Sequence, residues 1–113
     1  MSDVQRAAEI RGKTMNWTWT DGPTKGKTHV HDFHEDGTVE WRDAGTPKKD
    51  GPAKERVEYA AIKVGNGIYL VSYLAPSGFT LTVALNFHDS KIVGFASGAK
   101  EWHPIQGTFE VVG

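Results

Sequence analysis

Cysteine is absent from this chain. Disulfides, thiolate nucleophiles and cysteine-bound metals are excluded with it. Net charge is almost absent too: 13 Lys and Arg against 14 Asp and Glu leave a formal charge of −1. That balance offers no field to draw in nucleic acid or an anionic membrane surface. Long apolar runs are missing, and nothing approaches the roughly 20 residues of a membrane-spanning helix. The opening residues Met1 to Arg6 hold no apolar signal segment, so a cytoplasmic location is expected. There is no Gly-x-Ser-x-Gly elbow for a serine nucleophile and no phosphate-binding glycine loop leading into a helix. No cofactor is expected.

Glycine and proline, by contrast, are plentiful: 13 and 5 in 113 residues. They fall between short alternating segments, as in an all-β chain. Eight strands are expected, over roughly 13–20, 26–34, 37–43, 56–64, 67–74, 78–87, 91–97 and 106–112. Asp36-Gly37 and Asn66-Gly67 are hairpin signals, and Ala75–Gly78 and His88–Ser90 read as further turns. Short connections imply an antiparallel meander, and eight strands suffice to close an up-and-down barrel around a small ligand. A two-sheet sandwich is the rival. Residues 2–11 read as a short helix capped by Ser2 or Asp3. The polar stretch 44–55 is long enough to be either a lid or a mobile loop. The whole chain, 1–113, reads as one domain.

Alternation assigns the faces, because residues i and i+2 of a strand point the same way. Met15, Trp17 and Trp19 share one face. So do His29, His31 and Phe33; Val39 and Trp41; Tyr69, Val71 and Tyr73; and Phe79, Leu81, Val83, Leu85 and Phe87. Turned inward, these faces make an interior rich in indole, imidazole and phenol. Buried polar rings need partners, and apolar walls with a few polar groups describe a ligand pocket. Two readings stay open: a pocket, or a barrel filled by its own aromatics. On the pocket reading the ligand-binding residues are Trp17, Trp19, His29, His31, Phe33, Trp41, Tyr69, Tyr73, Phe79, Leu81, Val83 and Leu85.

The run His29-Val30-His31-Asp32-Phe33-His34-Glu35 raises the possibility of metal, since two histidines at i and i+2 can chelate one ion. It resembles the first metal motif of cupins, and Pro76-Ser77-Gly78 the start of their second. Leu81, however, stands where the second motif needs histidine, and His34 faces away from His29 and His31. No metal is expected; the histidines read as neutral rings hydrogen-bonding within a cavity. For acid–base work His29 and His31 are the inward candidates. Among the strand carboxylates Glu40, Glu58 and Glu110, solvated surface is the expected place.

The segments Gly12–Trp19, Phe33–Arg42, Gly67–Gly78, Leu85–Phe87 and Gly107–Glu110 together resemble the small calycin (lipocalin-like) domains of the MoaF group. The resemblance covers most of residues 10–112. More distantly the pattern is similar to bacterial phenolic acid decarboxylases, cofactor-free barrel enzymes. That likeness implies a tyrosine pair at Trp17 and Trp19, a glutamate at Ala75 and an arginine near Pro52, with Arg56 the nearest substitute. Each of these positions is changed, so that chemistry is not expected and the cavity is what remains. Because larger members of the MoaF group carry two such domains, a single copy suggests a homodimer. The leading expectation is therefore a barrel binding a small aromatic or planar organic molecule. The alternatives are a cofactor-free lyase or isomerase with His29 or His31 as base, and a partner domain whose aromatics simply fill it.

Overall fold

The computed structural model describes residues 7–44, 56–75 and 78–113. Eight strands form one closed antiparallel barrel in which each strand pairs with its sequence neighbours and β1 closes against β8. They are β1 (Thr14–Asp21), β2 (Thr28–Phe33), β3 (Thr38–Asp43), β4 (Val57–Gly65), β5 (Ile68–Leu74), β6 (Thr80–Asn86), β7 (Lys91–Ser97) and β8 (Trp102–Val111). The barrel, and not the sandwich, is the architecture.

Turn chemistry explains the connections. Between β2 and β3, Gly37 sits at φ +92°, a conformation that L side chains rarely adopt. Asp36 Oδ1 secures that corner by accepting from the Thr38 amide at 3.0 Å and the Thr38 hydroxyl at 2.6 Å. Gly107 answers a different need. A Cβ there would lie 2.0 Å from the Thr18 carbonyl oxygen, so β1 and β8 close only over a residue without a side chain.

Most strand ends fall within about two residues of expectation. The exception is β8, which begins at Trp102 and not near 106. Pro104 hides this start, because proline usually ends a strand reading. It is tolerated because β8 meets β1 only from Gln106 onward, so residues 102–105 pair with β7 alone and form an edge.

Of the expected N-terminal helix, residues 2–6 lie outside the described residues, and residues 8–12 form turns. These turns dock on the barrel: the Ala7 amide donates to the Ala61 carbonyl at 2.9 Å and the Gly12 amide to that of Phe33 at 2.7 Å. Ile10 is fully buried and plugs this end of the barrel. The stretch 44–55, expected as either a lid or a mobile loop, lies outside the described residues beyond Ala44.

The interior is divided along the barrel axis. Toward the plugged end Met15, Trp17, Phe33, Val39, Tyr59, Tyr69, Val71, Leu85, Ile92 and Phe109 pack together in one buried cluster. Toward the other end the wall loosens. Among the described residues, β3 and β4 pair only at Thr38–Glu58 and Val39–Val57, so the far half of β3, with Trp41, has no β4 partner.

Candidate functional site

A cavity of about 480 Å³ occupies this looser end. Its inner walls come from β1 (Trp19), β2 (His29), β3 (Trp41), β5 (Tyr73) and β6 (Leu81). On the β7–β8 side it is bounded by Ala96, His103 and Ile105; Pro23, Thr24, Ala75, Phe79 and Glu101 complete it. The volume falls within the range of small-molecule sites, and the walls are mostly apolar.

Six of the residues expected to bind ligand meet here: Trp19, His29, Trp41, Tyr73, Phe79 and Leu81. The other six, Trp17, His31, Phe33, Tyr69, Val83 and Leu85, lie in the packed half and do not line the cavity. Alternation explains the division: it reports which face a side chain takes and nothing about its depth along the axis. His103 and Ile105 are not among the expected lining residues, because a strand expected to begin near 106 leaves both outside it, whereas β8 begins at Trp102. The parity of Phe109 and Gly107, carried back through Pro104, places both on the inner face.

Two hydrogen-bonded chains organise the polar rings. In the first, the Trp19 indole Nε1–H donates to His29 Nδ1 at 2.9 Å. An indole nitrogen can only donate, so Nδ1 of His29 must be bare and its proton sits on Nε2. That nitrogen is 3.3 Å from Asp43 Oδ1. Burial lowers the His29 pKa below its usual value, against the opposing pull of Asp43 and with a smaller push from Lys27. Protonating Nδ1 would also break the bond from Trp19.

In the second chain, His31 is fully buried and stacks on Trp17 with ring centroids 3.7 Å apart. Its Nδ1 lies 3.3 Å from the His29 carbonyl oxygen, which can only accept, so the proton is on Nδ1. Nε2 is then the acceptor for the Tyr73 hydroxyl at 2.8 Å. Burial drives the His31 pKa down to about 3, and only partly does the bond to the His29 carbonyl oppose it. Burial likewise raises the Tyr73 phenol above its ordinary range. Both rings are neutral at physiological pH. Neither histidine holds a free lone pair toward the cavity, so the geometry does not equip either as a general base.

The remaining candidates lie elsewhere. His34 is on the outer surface, 2.8 Å from Glu40, and Arg56 flanks the same carboxylate at 3.7 Å; none of the three lines the cavity. Among the described residues no three His, Asp or Glu side chains gather as a metal site. No helix of the described residues is long and apolar enough to cross a membrane.

A family model described as the MoaF N-terminal domain matches residues 3–101. The chain belongs to that family. Its barrel is similar to the crystal structure of a protein from Burkholderia vietnamiensis provisionally described as a beta-lactamase, with a TM-score of 0.68 and 20% identity over 96% of this chain and 100% of that one. At this identity the likeness is one of fold. None of the curated proteins matches the sequence. Within this MoaF domain, Trp19 and Ala75 both border the cavity, whereas Trp17 stands behind it in the core.

Proposed function

We propose that this MoaF-family domain binds a small planar organic molecule in the open half of its barrel. The observation that carries the reading is the cavity of about 480 Å³ walled by Trp19, Trp41, Tyr73 and Phe79. Protein interiors are close-packed, and a barrel built only to be filled would not leave such a space beside four aromatic rings. Flat ligands stack favourably on indole and phenol faces. Titration with a panel of planar aromatic compounds is expected to quench tryptophan emission saturably, and Trp19→Phe and Trp41→Phe are each expected to remove part of the response. A flat titration across the whole panel would sink the proposal.

A second copy of the chain is the partner this reading includes. The outward face of β5–β8 carries Leu70, Leu74, Val93, Phe95 and Trp102, all exposed, with Trp102 at 65%. Strand pairing sets them side by side in rows with Ser72, Thr80, Thr82, Ala84, Ser97, Pro104 and Gln106, without one charged residue. The five large side chains expose on the order of 600 Å², close to the ~800 Å² that each partner contributes to a standard interface. A self-complementary patch closes as a two-fold dimer, and an uncharged one offers nothing to steer an unlike, charged partner. Light scattering on the eluting protein is expected to report a dimer, and Phe95→Glu with Trp102→Glu a monomer. A parent protein that runs as a monomer would refute the pairing.

A further inference from the structure

We propose that the cavity selects uncharged aromatic molecules and rejects aromatic carboxylates. The inference rests on the ligand-binding reading above and concerns how the hydrogen-bond donors of the wall are spent. A carboxylate that leaves water needs N–H or O–H groups, or a cation, to replace its lost hydration. Three aromatic side chains of the wall carry such donors: Trp19, Trp41 and Tyr73. Those of Trp19 and Tyr73 are already committed to histidines, at 2.9 and 2.8 Å.

The direction of each bond is set by chemistry. The indole has no lone pair to accept with. The imidazole of His31 has its proton held on the side of the His29 carbonyl, so toward Tyr73 it presents a bare nitrogen. The ring proton of His29, on Nε2, is directed to Asp43, 3.3 Å away. No lysine or arginine is found among the described residues that line the cavity. Its one carboxylate, Glu101, meets Nε2 of His103 at 3.1 Å, so that ring nitrogen too is turned to a protein partner. Thr24 contributes a single hydroxyl. The wall therefore accepts ring surface readily and, with the neutral Trp41 N–H and Thr24 hydroxyl as its remaining donors, gives a buried carboxylate too few partners. An uncharged phenol avoids that cost, since the Tyr73 oxygen, donating to His31, keeps lone pairs with which to accept.

Calorimetric titration of the full chain at neutral pH with two ligands of one shape tests this. 2-Naphthol is expected to bind roughly tenfold or more tightly than 2-naphthoate. Equal affinities would overturn the inference while leaving the cavity reading intact; no binding of either, or of any planar compound, would overturn both. A second arm releases one donor. His29→Leu and His29→Phe each free the Trp19 N–H, and either is expected to narrow the preference about threefold or more. A folded variant with an unchanged ratio would refute the assignment of selectivity to the spent donors.

Discussion

Trp17→Ala is expected to cost about 4 kcal/mol of folding stability, within the range for emptying a buried tryptophan site. The indole is fully buried, stacks on His31 at 3.7 Å, and lies 6.0 Å from the ring of Trp19 and 5.9 Å from that of Phe33. Domains of this size have about 5–15 kcal/mol in total, so the midpoint of thermal unfolding should fall by roughly 15 °C. Trp19→Ala should behave differently. Trp19 borders the cavity, so its removal enlarges a space that already exists and strips fewer contacts. About half the stability loss is expected, together with loss of ligand binding. Thermal denaturation and ligand titration of the two variants side by side check both statements. Equal stability losses would mean that the interior is not divided into a packed and an open half.

Acid should unfold the protein through His31. The ring has a pKa of about 3 in the folded barrel and about 6.5 in an unfolded chain. Between those values the unfolded chain holds the proton and the native one does not, so unfolding takes up a proton. Stability from this group is complete above about pH 6.5 and falls by up to ~1.4 kcal/mol for each unit below it, until about pH 3. Between pH 7.5 and 5.0 the loss should be on the order of 2 kcal/mol. His29, its pKa also lowered by burial, acts in the same direction. The double replacement His31→Phe, Tyr73→Phe removes the proton site and its hydroxyl partner together, so no buried donor is stranded. Urea denaturation at the two pH values should show a flatter acid limb in that variant, with the His29 contribution common to both. Parallel limbs would show that His31 is not the group responsible.

Trp17 and Trp19 mark how far a sequence can be read. Alternation places both on one face, and they are indeed both inward. It says nothing of the 6.0 Å step between their rings that carries one into the core and the other to a cavity wall. The same limit divides His29 from His31. Their spacing suggests a chelating pair; folding instead turns one toward Trp19 and Asp43 and sets the other between Trp17 and Tyr73. Ala75 does lie at the cavity, where the resemblance to the decarboxylases implied a lost acid. Arg56, the nearest substitute for the lost arginine, turned out to serve surface ion pairs with Asp36 and Glu40.

The strand count, the antiparallel order and the inward faces were determined by the sequence itself, because turn residues and a two-residue period are local properties of the chain. Tertiary structure alone decided which half of the barrel is filled and which is open. It also decided that β8 runs through Pro104 to bring His103 and Ile105 to the cavity. Both depend on strand stagger and closure, which arise between residues far apart in sequence. The protonation of the histidines belongs to the same class. A tautomer follows from what lies against each ring nitrogen, and here those partners come from other strands or from the folded course of the backbone.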